Sequence, residues 1–107
     1  MKSFSIENNR GRNGTCRISL SGRFGDSAAM ELEDRLNELL KEDTREARIS
    51  LKGVSFLSSE GIGVLLGMEH SFRASGARLS LADLPPRAEA DMKLVAGVEY
   101  FNRVTEL

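Results

Sequence analysis

The chain has 107 residues, with an apolar share of 40% and a charged share of 29%, ordinary values for one soluble globular domain. Net charge is −1, from 15 Lys and Arg against 16 Asp and Glu, so no global field draws in nucleic acid and any partner must be recognised by local features. Cys16 is the single cysteine, which excludes an intrachain disulfide and points to a reducing compartment.

Phe4-Ser5-Ile6 alternates apolar and polar and predicts a short strand. Asn8-Asn9-Arg10-Gly11-Arg12-Asn13-Gly14 follows, rich in residues that tolerate positive φ, and predicts a hairpin loop. Thr15 to Leu20 alternates again, with Cys16, Ile18 and Leu20 on one face, and predicts a second strand antiparallel to the first. Gly22 to Asp26 predicts a turn, with Asp26 or Ser27 as cap of the following helix. Ala29, Leu32, Leu36, Leu39 and Leu40 carry that helix through Lys41 at helical spacing.

Ala47 to Leu51 alternates and predicts a third strand, and Gly53 to Leu57 leads from it to Ser58-Ser59. A second helix is predicted from about Glu60 to Ala74. Gly61 to Met68 is apolar or Gly at every position, so this stretch is expected to be buried on most sides. Ser75-Gly76 ends it, with Gly76 free to turn left-handed. Leu79-Ser80-Leu81 predicts a fourth strand. Pro85-Pro86 breaks the chain, Ala88 to Leu94 forms a third helix with Pro86 near its start, Gly97 ends it, and Phe101 to Val104 forms a last strand. The order β-β-α-β-α-β-α-β implies an α/β domain spanning residues 1–107, with a mixed sheet and helices packed mainly on one face.

The stretch with chemical content runs from Val54 to Gly67. There a strand hands over to a helix through Ser58 and Ser59. Free N–H groups and the positive dipole end of that helix favour a negative group beside them. A serine at such a place can cap the helix, present a hydroxyl to a kinase, or hold a phosphate. By local pattern alone, a serine pair before a helix is more often a cap than a regulated site. Gly61, Gly63 and Gly67 cost about 0.8–1 kcal/mol each relative to Ala inside a helix. Either close packing on the sheet or close approach of a partner must offset that cost.

Catalytic constellations are missing from the sequence. His70 is the only histidine and lies more than two turns beyond the serines. There is no Gly-x-Ser-x-Gly elbow, no Walker loop and no His/Cys cluster for zinc, so neither metal nor cofactor is expected. Glu31 with Asp34 and Glu89 with Asp91 read as solvated helix faces, and Arg10-Gly11-Arg12 as a solvated hairpin. No apolar run is long enough to span a membrane, and Met1 to Phe4 lacks the apolar core of a signal peptide, so a cytoplasmic protein is expected.

Phe56-Leu57-Ser58-Ser59-Glu60-Gly61-Ile62-Gly63-Val64-Leu65-Leu66 resembles, without a gap, the motif of STAS domains of the anti-sigma factor antagonist type: an apolar strand end, Asp-Ser-Ser or Asp-Ser-Thr, Gly, then an apolar Gly-containing helix. Gly22-Arg23-Phe24, the helix beginning Ala29-Met30-Glu31-Leu32-Glu33, Gly76 to Leu81, and Val95 to Phe101 extend the resemblance over nearly the whole chain. The resemblance implies a phosphorylation-switched binding module, not an enzyme. Unphosphorylated, it sequesters an anti-sigma factor that is also a serine kinase with an ATP-binding fold, and so regulates transcription. A PP2C-type phosphatase resets it. The family's phosphorylated serine falls on Ser59, with Ser58 as the alternative. The contact surface implied is Ser58, Ser59, Glu60, Gly61, Ile62 and Gly63, with Phe24, Gly25 and Asp26 at its edge. The chain departs from the pattern at Ser58, where relatives carry Asp, at Glu60, where they carry Ser or Thr, and at Gly25, where many carry Asp. Relatives with the same fold dock on transporter ATPases or serve as scaffold regulators under two-component pathways, and these are the alternative employments.

Overall fold

The structure is a computed structural model and describes residues 3–95 and 102–104. In chain order it contains β1 (Phe4–Arg10), β2 (Thr15–Phe24), α1 (Asp26–Lys41), β3 (Glu46–Leu57), α2 (Ser59–Ala74), β4 (Arg78–Ala82), α3 (Pro86–Val95) and β5 (Asn102–Val104). The element order is the one expected. The sheet runs β1-β2-β3-β4-β5, with β1 antiparallel to β2 and every later neighbour parallel. Each parallel step moves one strand over in the same direction. Right-handed crossovers then carry all three helices to the same face, and α1 packs on α2 and α2 on α3.

Period-two alternation places Cys16, Ile18 and Leu20 of β2, Ala47, Ile49 and Leu51 of β3, and Leu79 and Leu81 of β4 in the core. Leu32, Leu36 and Leu39 of α1 and Ile62, Leu65 and Phe72 of α2 meet them from the helix side. Burial pushes the Cys16 thiol above its ordinary range, which disfavours the reactive thiolate.

Two differences from the sequence expectations shape the molecule. First, β1 continues through Asn8-Asn9-Arg10 to pair Arg10 with Cys16, so the hairpin loop shrinks to residues 11–14. Asn13 and Gly14, at φ of 61° and 77°, make the reversal. Second, Gly22 to Phe24 of the expected turn is strand, and the third strand, expected over Ala47 to Leu51, runs on through Gly53. β2 runs on to Phe24 and β3 to Leu57, with register shifts between Ser19 and Ser21 and between Gly22 and Arg23. The glycines mark irregularities inside continuous strands rather than their ends. The shift in phase is visible in β3, where burial passes from Leu51 to Val54 and then Leu57, a spacing of three.

α2 ends as expected. Gly76 takes φ of 80°, its N–H donates to the Arg73 carbonyl at 3.0 Å, and the Ala77 N–H donates to the Phe72 carbonyl at 2.8 Å, which closes a Schellman motif. α3 starts at Pro86, two residues before the expected apolar run. The expected stop at Gly97 and the residue Phe101 lie outside the described residues.

Candidate functional site

The two irregular strand ends bring the predicted site together. The Ser58 N–H donates to the Phe24 carbonyl at 2.9 Å, so the β2–α1 and β3–α2 junctions are tied side by side at the C-terminal edge of the parallel strands. That edge is where open α/β sheets place their binding residues. Phe4 and Phe24 pack ring against ring at 5.4 Å, and the Arg23 guanidinium lies 4.2 Å from the centre of the Phe56 ring on the paired strand. These contacts fix the platform from which both helices start.

The helices begin differently. Gly25 occupies the N-cap of α1 and supplies no side-chain cap; its carbonyl accepts from the Ala29 N–H at 2.9 Å. The expected cap at Asp26 or Ser27 is therefore not formed. Both are the first residues of the helix itself, where the Asp26 carboxylate favours the dipole without capping it. Ser58 is the N-cap of α2. Its backbone is extended, its Oγ accepts from the Gly61 N–H at 3.1 Å, and its carbonyl accepts from the Ile62 N–H at 3.0 Å.

The two adjacent serines thus have separate positions. Ser58 is half-buried and committed to the cap, whereas Ser59 is exposed at the first helical position and its side chain makes no hydrogen bond among the described residues. Glu60 follows it, exposed in the first turn. Replacing Ser58 with Ala is expected to cost about 1 kcal/mol, the usual worth of such a cap. Urea denaturation of Ser58→Ala beside Ser59→Ala checks this, with the second variant expected to stay within about 0.5 kcal/mol of the parent as an ordinary surface change.

The remaining predicted contact residues divide in two. Gly61 is buried, and Phe24 and Ile62 are 0% and 1% exposed, so these three position the surface through the backbone and offer no side chain to a partner. Gly25 is half-buried, while Asp26, Ser59, Glu60 and Gly63 are open to solvent. The expectation that Gly61 to Met68 is buried on most sides fails at Gly63 and Gly67, which are exposed, and at Val64 and Leu66, which are half-buried.

The glycines of α2 separate in the same way. A Cβ on Gly61 would stand 2.7 Å from Leu57 Cδ1, so close packing on the sheet accounts for it. A Cβ on Gly63 or Gly67 would meet nothing within 4 Å. Packing inside the domain gives no reason for those two. Gly63→Ala is expected to stabilise the isolated chain by about 0.8–1 kcal/mol, the difference in helix propensity, measurable as a raised denaturation midpoint.

Sequence reasoning missed Met30, which is 68% exposed on α1 across from Gly63 and Val64 of α2. The signal was present: Met30 falls off the apolar spacing of Ala29, Leu32, Leu36 and Leu39 and sits among the charged residues of the outer face.

Among the described residues, no group of three or more His, Cys, Asp or Glu is placed to hold a metal ion. In the same residues no helix is long and apolar enough to cross a membrane.

Solved structures carry the same architecture. SpoIIAA, an anti-sigma factor antagonist, in its unphosphorylated form superposes with a TM-score of 0.83 at 17% identity, covering 95% of this chain and 90% of that one. The phosphorylated form of the Bacillus cell-fate determinant SpoIIAA superposes at 0.77, again with 17% identity, covering 95% and 93%. An anti-sigma factor antagonist from Mycobacterium paratuberculosis gives 0.83 at 19% identity, covering 98% and 88%. At these identities the likeness establishes the fold. No curated protein matches the chain by sequence. The family model described as "Mlab, STAS domain" matches residues 8–100, which take in both strand–helix junctions and all three helices. The chain belongs to the STAS domain family.

Proposed function

We propose that this chain is an anti-sigma factor antagonist: a cytoplasmic binding module that holds an anti-sigma factor with serine-kinase activity while Ser59 is unmodified, and releases it once Ser59 is phosphorylated. The observation that carries this reading is the division of labour at the β3–α2 junction. Ser58 is occupied as the cap, and Ser59 stands exposed at the first residue of α2 with its hydroxyl unbonded among the described residues. Likeness in fold to SpoIIAA, solved in unphosphorylated and phosphorylated forms, supports it.

The chain acts by binding, and the chemistry belongs to its partners. In the kinase, the Ser59 hydroxyl oxygen attacks the γ-phosphorus of ATP, the bond from that phosphorus to the ADP oxygen breaks, and the hydroxyl proton passes to a base on the kinase. A PP2C-type phosphatase hydrolyses the phosphoester and restores the hydroxyl. Nucleic acid is not a direct partner.

The release step follows from charge. Phosphoserine carries about −1.5 to −2 charges. It arises facing the diphosphate of the ADP left in the kinase, beside Glu60 of its own chain. Like charges brought together at an interface cost several kcal/mol, and each 1.4 kcal/mol is about tenfold in affinity. Within the free domain the phosphate is tolerated, because it sits at a helix N-terminus where negative charge contributes about 0.3–1 kcal/mol. Release therefore needs no change of fold.

Incubation with the partner kinase and ATP, followed by mass-spectrometric mapping, tests this. One phosphate per chain on Ser59 is expected. Phosphate on neither serine, in a complex that stays intact, overturns the proposal.

A further inference from the structure

The N-terminal halves of α1 and α2 enclose an open groove of about 360 Å³. Met30 and Val64 form its apolar walls, and the bare backbone at Gly63 forms part of its floor. Asp26, Glu33 and Glu60 stand around it, all three exposed. Elsewhere in the domain Glu42 pairs with Arg10, Glu46 with Arg48 and Glu69 with Arg73. The three carboxylates of the groove make no ion pair among the described residues. An exposed thioether, a helix surface without a side chain and an uncompensated acidic rim thus coincide at one place.

We propose that this groove seats a basic amphipathic helix of the partner, with an apolar side chain lodged beside Met30 and lysines or arginines facing Asp26, Glu33 and Glu60. The proposal rests on the partner-binding reading given above and names the chemistry of what is bound. Helix-in-groove recognition needs apolar anchors at helical spacing and a flank of complementary charge, and the groove presents the counterpart of both. Methionine adapts its shape to an incoming side chain. Gly63, where a Cβ would meet nothing within 4 Å among the described residues, lets a second backbone come close. The rim also rejects acidic segments, which gives selectivity as well as attraction. Ser59 does not line the groove, so the anchor and the switch are separate contacts.

The test uses the full chain with 13C-methyl methionine, titrated at low salt with a designed helical peptide of Leu on one face and Lys on the other. A saturable shift of the Met30 methyl signal is expected, while the buried Met68 and Met92 stay still. Glu33→Lys, an exposed change outside the serine junction, is expected to weaken the peptide about five- to tenfold, as removing one surface attraction and adding a repulsion implies. A Leu/Glu version of the peptide is expected to leave Met30 unmoved. An unshifted Met30 signal at high peptide concentration, equal binding of the Leu/Glu peptide, or unchanged affinity in Glu33→Lys overturns the groove assignment. Mapping of phosphate to Ser59 stands or fails independently of these outcomes.

Discussion

Ser59→Asp is expected to weaken the complex with the partner kinase about a hundredfold, while Ser59→Ala keeps most of the parent affinity. Two to three kcal/mol is the scale expected when an unmatched charge is forced into an interface fitted to a neutral group, and that converts to about two powers of ten. Ser59 carries no structural duty that would confuse the result. Its side chain is exposed and unbonded among the described residues, and the cap that starts α2 is supplied by Ser58. Aspartate has one charge where phosphoserine has nearly two, so the substitution sets a lower bound on the effect of the modification. Calorimetric titration of both variants checks it, with circular dichroism to show that α2 is intact. Equal binding by Ser59→Asp and the parent removes charge at this position as the switch.

Gly22→Ala is expected to destabilise the domain by about 2–4 kcal/mol, the sum of forcing a side chain into left-handed backbone and overpacking a closed site. Gly22 takes φ of 90°, and a Cβ there would collide with the Ser3 carbonyl oxygen and the Phe4 Cα of the neighbouring strand. Both obstacles are backbone atoms, so no side chain can swing aside. For a domain of this size the midpoint of thermal unfolding should fall by on the order of 10 °C or more. Gly25→Ala, three residues on, is the matched control: its φ of −86° suits any residue, and a Cβ there meets nothing within 4 Å. A Gly22→Ala midpoint indistinguishable from the parent would show that the β2 irregularity is not rigid. The consequence reaches the site, because β2 delivers Phe24, and the Phe24 carbonyl holds the start of the serine junction.

The element order and one-sided helix layer were legible because alternation, helical spacing and punctuation agreed along the chain. Strand lengths were less legible. Gly22 looks like the opening of a turn in the sequence, but here it is a place where a strand changes phase and continues. A single sequence does not distinguish a glycine that ends an element from one that bends it.

Within the site, the serine before α2 was recognisable as a cap, yet which of two adjacent serines closes the first turn is a matter of one residue in helix start. Only the bond from the Gly61 N–H to Ser58 Oγ resolves it. The exposure of Gly63 and Gly67 was hidden because glycine counts as apolar in a pattern while burying no side chain. Met30 was hidden for the opposite reason: attention to the apolar face of α1 passes over an apolar residue standing outside it.

The most direct test of the switch is to add ATP to a preformed complex of this chain with its partner kinase and follow its size by fluorescence anisotropy. The complex is expected to dissociate as Ser59 acquires phosphate, and to persist when Ser59→Ala replaces the parent chain. A complex that stays assembled with phosphate on Ser59 would contradict the account.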